Sequence, residues 1–216
     1  MLRTPLSAIY LQTFGVTRSL NVLYERILDA AYGSANSRER SHIRIVLQAV
    51  VYAYNPLSMT AISDLVQMPI EQVEAALSSL HSLIYMPSSK QVAKQISILH
   101  SSFYDFMSKQ VLSSKHYLDS GESQESLAQL CFSLMDNEWS GRKDLPYLIE
   151  RRCENISEAL AYACSSWAFH LTNEESNNKL AKLKYFFDTH LLQWMDCLSI
   201  IGKLATAMDS LHTLEC

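Results

Sequence analysis

Glycine and proline are scarce in this chain, with five of each among 216 residues. Few glycines leave few sites for left-handed or sharply turned backbone, and few prolines leave few forced helix ends. The shortage points to a mainly helical protein with short connections. It also removes the phosphate-binding loop of a nucleotide hydrolase. Gly15, Gly33, Gly121 and Gly141 stand alone. Gly202-Lys203-Leu204 holds the one Gly-Lys pair, without a glycine loop before it and with leucine where a hydroxyl is needed. By itself the chain calls for no cofactor and no catalytic residue.

Other absences narrow the reading further. No apolar run reaches the ~18 residues of a membrane span. The five cysteines (Cys131, Cys153, Cys164, Cys197 and Cys216) contain no CxxC, so they read as buried thiols of a reducing compartment. Cys164 with His170, and His190 with Cys197, are the nearest metal-ligand pairs, and neither completes a zinc set. A basic excess is missing too: the net charge is −4, which offers nucleic acid no global attraction. His100, Ser102 and Asp105 have spacings that put them on different helix faces, which argues against a catalytic relay. The first 24 residues contain no acid, but they include Arg3 and Arg18. That is transit-peptide composition. The plainer reading is a short irregular N-terminus on a cytoplasmic protein.

What is present is a large apolar fraction, 48%, enough for a substantial core. Charge is unevenly divided. Residues 1–111 carry 9 basic and 7 acidic side chains (+2), and residues 112–216 carry 9 and 15 (−6). The shift suggests an unassigned segment 1–18, a first module over 19–111 and a second over 112–216.

In the first module Leu20, Leu23, Ile27 and Ala31 predict an amphipathic helix, with Ser37 as the N-cap of the next. Ile43, Val46, Leu47, Val50 and Val51 predict that second helix, which ends before Asn55-Pro56. Ser58 opens a short helix, and Pro69 begins another lined by Ile70, Val73, Ala76, Leu77 and Leu80. Residues 82–86 and 94–99 then read as a hairpin across a polar turn. Helices followed by a small hairpin is the order of a winged helix-turn-helix, with the hairpin as the wing. Reading DNA with it would need basic residues on the third helix, yet Glu71, Gln72, Glu74, Ser78 and Ser79 are what it offers.

The second module reads as all helix. Leu127, Leu130, Cys131, Leu134 and Met135 mark one, and a loop follows over 141–146. Asn155-Ile156-Ser157-Glu158 reads as a capping box, and Thr172 with Glu175 as a second. Ile156, Leu160, Ala163, Cys164, Trp167 and Leu171 form the next stripe. Leu180, Leu183, Phe187, Leu191, Trp194, Leu198 and Ile201 form a longer one, with His190 near a helix boundary. Leu204, Met208 and Leu211 close the chain. Trp167 and Trp194 at helical spacing among leucines read as core.

His100 is the candidate site. Ile96 and Ile98 alternate as in a strand, and Leu99, Phe103 and Phe106 follow at helical spacing. The histidine therefore sits at a strand-to-helix junction, where it serves either as an anion contact or as a helix cap.

Several segments, taken in order, resemble fungal NACHT proteins of the STAND class of NLR-like signalling ATPases. Leu20-Asn21-Val22-Leu23-Tyr24-Glu25-Arg26-Ile27-Leu28 resembles their LDxLYxxIL segment. Asn55-Pro56-Leu57-Ser58 resembles xPLS, and Leu80-His81-Ser82-Leu83-Ile84 resembles LxSVL. Leu99-His100-Ser101-Ser102-Phe103-Tyr104-Asp105-Phe106 is similar to LHxSFxDFL. Tyr162-Ala163-Cys164-Ser165-Ser166-Trp167-Ala168-Phe169-His170-Leu171 is similar to YACxxWxxHL. The stretch from Phe187 through His190, Leu191 and Trp194 to Ser199 is similar to FxxxHLLYWLEVLSLLG.

The resemblance implies the winged helix and helical arm of such an ATPase, without the NACHT core and without C-terminal repeats. ADP or ATP would then be held only where a NACHT domain is supplied. In related plant resistance and apoptosis-type ATPases, a histidine opening such a helix touches the β-phosphate of ADP, and His100 stands at the matching position. The plant motif continues with Asp, where this chain has Ser101. The expectation is a non-enzymatic regulatory and interaction module with protein partners: a NACHT domain, a repeat domain or itself. Two alternatives stand beside it. One is a winged-helix DNA-binding regulator with a helical dimerisation domain, and the other is a truncated gene product without a separate role.

Overall fold

Helices supply nearly all the regular structure in the computed structural model, which describes residues 6–87, 94–140, 156–171 and 176–214. The first, α1 (Leu6–Ser34), starts well before the expected end of an irregular segment at residue 18. Its 29 residues contain no proline. Gly15, and Gly33 near the end, each cost about 1 kcal/mol relative to alanine, too little to interrupt so long a ladder. The buried face is Tyr24, Leu28 and Ala31, while Leu23, expected on that face, is exposed.

The next helix, α2 (Ser37–Tyr52), is capped by Asn36 and not by Ser37. Asn36 Oδ1 accepts from the N–H groups of Arg38 and Glu39 at 2.9 and 3.0 Å, and Glu39 Oε2 accepts from Asn36 N–H at 2.8 Å. Only Asn36 has a glutamate three residues on, which the reciprocal box requires. Ser58 caps α3 (Met59–Leu65) as expected, through a 3.1 Å bond from Ala61 N–H. Pro69 sits at the N-cap of α4 (Ile70–Ser78). A two-residue antiparallel pair follows, β1 (Ile84–Tyr85) with β2 (Ser97–Ile98), in which Ile84 faces Ile98 and Tyr85 faces Ser97. Most of the polar turn assigned between them lies outside the described residues.

Two short helices come next, α5 (Ser101–Ser108) and α6 (Gln110–Ser113). A 3-10 turn, Ser114–His116, leads to α7 (Ser120–Trp139). The chain then forms α8 (Glu158–His170), α9 (Ser176–Ile200) and α10 (Ala205–Leu214). Gly202 ends α9 at φ +69°, a left-handed turn in which Lys203 N–H donates to Leu198 O at 2.8 Å. The loop expected over 141–146, Asn155, and the cap at Thr172 and Glu175 lie outside the described residues.

The buried apolar side chains form one continuous cluster, from Tyr24 in α1 to Ala207 in α10. It crosses the expected module boundary, where Val111 itself is 96% exposed. Trp167 and Trp194 are fully buried and meet edge-on, with ring centroids 5.6 Å apart. Phe132 and Phe186 pack on Trp167 at 5.3 and 5.0 Å. The inward face of α9 is Phe186, His190, Trp194, Cys197 and Leu198, and the expected stripe residues Leu180 and Leu191 are exposed. The expected face of α10 is likewise reversed: Ala207 and Ser210 are buried while Leu204, Met208 and Leu211 are exposed. Small inward side chains let α10 lie close against α8.

Candidate functional site

The strand-to-helix junction is built by the hairpin on one side and aromatic packing on the other. Leu99 N–H donates to Leu83 O at 2.9 Å, which carries the pairing one residue past β2. Phe103 and Phe106 of α5 are buried against the Tyr24 ring, at centroid separations of 5.3 and 5.5 Å. Between these anchors His100 has extended backbone, φ −143° and ψ 130°, as an N-cap residue must.

Its side chain does the capping. Nδ1 accepts from Ser102 N–H at 3.1 Å and lies 2.7 Å from Ser102 Oγ. An N–H donor at Nδ1 requires that nitrogen to be unprotonated, so the neutral ring carries its proton on Nε2. Ser102 then donates its hydroxyl proton to Nδ1, and Tyr24 Oη donates to Ser102 Oγ across 2.7 Å. The chain of donors runs inward to α1 and leaves Nε2, an exposed N–H, without a partner among the described residues.

His100 and Ser102 are therefore in contact, although their spacing suggests different faces. The difference arises because His100 lies outside the helix, and a cap folds back over the first turn. Asp105 does lie apart, paired with Lys109 Nζ at 2.8 Å. Without it no relay forms.

Several buried polar groups join distant elements and are not signalled in the sequence. Tyr162 Oη lies 2.7 Å from His170 Nε2 and accepts from Tyr54 N–H at 3.1 Å, and His170 Nδ1 is hydrogen-bonded to Gln124 Oε1. Burial pulls the His170 ring down to about 4 and pushes the Tyr162 hydroxyl up. His190 is in the middle of α9, not at a boundary, and binds Asp136 Oδ1 at 2.9 Å. That bond and those from Ser140 and Tyr185 hold the Asp136 carboxyl below the usual range. Asp29 is held low in the same way by Lys115 and His116, each 2.7 Å away. Long-range pairings of this kind have no local spacing by which they could be found.

Cys131, Cys164 and Cys197 are buried, and Cys153 and Cys216 lie outside the described residues. Among the described residues no group of three or more His, Cys, Asp and Glu side chains is arranged to hold a metal ion. No described helix is long and apolar enough to cross a membrane. On α4, Glu71, Glu74 and Ser78 are exposed, and so is Ser79 just after it.

Comparison with protein-family models, curated proteins and solved structures finds no match for this chain, so its assignment rests on the residues and geometry above.

Proposed function

We propose that this chain is a non-enzymatic regulatory and interaction module of a NACHT-type signal-transduction ATPase of the STAND class. In this reading residues 19–111 are its winged-helix part, with β1 and β2 as the wing. Residues 112–216 are its helical arm. The module couples the nucleotide state of a NACHT domain to the position of the arm and to assembly. The order of motifs from residue 20 onward supports it, as does the succession of α2, α3, α4 and the hairpin before α5.

The observation that carries the reading is the division of labour within the His100 ring. Nδ1 is committed to the cap, and Nε2–H is left as an exposed donor at the start of α5. A donor fixed by its own helix is suited to a phosphate oxygen presented by another domain. His100 is the nucleotide-sensing residue of the proposal, and the nucleotide is held by the NACHT domain, not by this chain. The exposed glutamates of α4 disfavour the DNA-binding alternative, because they would face phosphates.

The test is an ADP titration of the chain alone, with a NACHT domain supplied in trans, and with that domain plus His100→Ala. Tighter ADP binding is expected only when the NACHT domain and the wild-type chain are together. Equal binding by His100→Ala removes the nucleotide-sensing role.

A further inference from the structure

Cys164 of α8 and Cys197 of α9 meet with their Sγ atoms 3.3 Å apart. Cys164 is 0% exposed and Cys197 5%. Their register is fixed by a neighbouring bond: Trp194 Nε1 donates to the Cys164 carbonyl at 2.8 Å. The stretch of α9 that carries Cys197 is thereby pinned to the turn of α8 that carries Cys164. The Trp167–Trp194 ring contact holds the same stretch of α9 against α8. A disulfide needs a separation of about 2.05 Å, so the sulfurs must close by about 1.3 Å, a shift that small χ1 rotations at both residues supply.

We propose that Cys164 and Cys197 form a modification site, at which a peroxide-class oxidant converts the pair into an intramolecular disulfide that staples the C-terminal part of α9 to α8. This inference stands apart from the proposed function, since it needs neither nucleotide nor partner. Cys197, the less deeply buried residue of the two, attacks hydrogen peroxide: an S–O bond forms, the O–O bond breaks and one water leaves. The Cys164 sulfur then displaces the sulfenic oxygen as a second water, and the S–S bond forms. Two thiols lose two protons and two electrons, and one peroxide becomes two waters.

The hydrogen bond to Cys197 and burial hold the Cys164 thiol well above its ordinary range, so thiolate is scarce while the helices are packed. Both residues are closed off from solvent in the packed core, so oxidation waits on brief opening of α9. Closure then brings Cys164 onto the oxidised sulfur, and the staple traps the packed arrangement.

The test uses the intact chain treated with hydrogen peroxide in native buffer, then alkylated in denaturant and mapped by mass spectrometry. Two of the five cysteines are expected to escape alkylation, in a Cys164–Cys197 linked peptide lighter by two hydrogens and restored by dithiothreitol. Hydrogen exchange over residues 190–202 is expected to slow about tenfold, which is well within what a disulfide contributes. Cys164→Ser should abolish the linked peptide and carry Cys197 on to the sulfinic acid. The proposal is overturned if the wild-type map shows Cys197 sulfinic acid or other cysteine pairings in place of this link. It is equally overturned if all five thiols survive oxidant that leaves the fold intact. The wild-type map decides the question even where the variant does not fold.

Discussion

Glu158 grips Ser58 with both carboxylate oxygens across 100 residues of chain. Oε1 accepts from the Ser58 backbone N–H at 3.1 Å, and Oε2 accepts from its hydroxyl. Ser58 is fully buried and at the same time caps α3 through Ala61 N–H. One glutamate at the first turn of α8 thus completes the N-terminus of a helix in the other half of the chain.

Removing Glu158 takes the acceptor away from the buried Ser58 N–H, whereas Glu158 is exposed and can turn to water when Ser58 is removed. Glu158→Ala is expected to cost about 1–3 kcal/mol, measured by urea denaturation. Ser58→Ala should cost at least as much, because it also removes a cap. In a double-mutant cycle the two losses should fail to add by about 1 kcal/mol or more. Strict additivity would mean that the two halves are not coupled through this contact.

His170 sets the acid side of the stability profile. The unfolded chain takes up a proton at this residue below its ordinary 6.5, whereas the folded chain resists until about 4. Stability is therefore fully present above pH 6.5 and is lost as pH falls toward 4, by about 3 kcal/mol at most. The lowered carboxyls of Asp29, Asp119 and Asp136 act in a lower window, since their contribution is lost only below the ordinary 3.8. Unfolding free energy measured between pH 7 and 4.5 should fall in wild type and fall less in His170→Gln. A flat wild-type profile over that range contradicts a neutral buried ring.

Trp194 joins two roles, filling the α8–α9 core and donating to the Cys164 carbonyl. Trp194→Ala should cost about 3–5 kcal/mol. Trp194→Phe keeps much of the volume and removes only the second bond to the Cys164 carbonyl, which retains its helical partner, for about 0.5–1.5 kcal/mol. A loss under about 1 kcal/mol for the alanine variant would place this residue outside the core.

Capping and sensing at His100 separate by substitution. His100→Ala should lose about 1 kcal/mol of stability, and His100→Asn should recover most of it by accepting from Ser102 N–H. Only the ring supplies the outward Nε2–H, so His100→Asn should remain as defective as alanine in the nucleotide titration. Thermal melts of the three proteins, set beside that titration, give the two readouts.

Local signals were legible in the sequence wherever a short-range rule was sufficient. Ser58 as a helix start, the hairpin near Ile84 and Ile98, and the junction at His100 all depend on neighbours within a few residues. Errors arose where a distant partner chose the outcome. Glu158 reads as the far half of a capping box, but Ser157 caps α8 and the carboxylate goes to Ser58. His190 follows Asp188-Thr189, a plausible cap, yet Asp136 of α7 draws it into the middle of a buried helix face. On α10 the larger apolar residues point outward, because α8 accepts only Ala207 and Ser210 at that contact. Apolar count alone cannot anticipate a face selected for small size. The Cys164–Cys197 contact was invisible for the same reason, since 33 residues separate the two thiols.

The reach of the Ser58–Glu158 grip has a consequence during synthesis. A ribosome adds about 5–20 residues per second, so Glu158 is made roughly 5–20 s after Ser58. Throughout that interval α3 has no α8 to rest on, and Ile62 and Leu65 lack part of their final cover. The nascent chain must wait with an unfinished helix start and an uncovered apolar face, open to non-native contacts until α8 emerges.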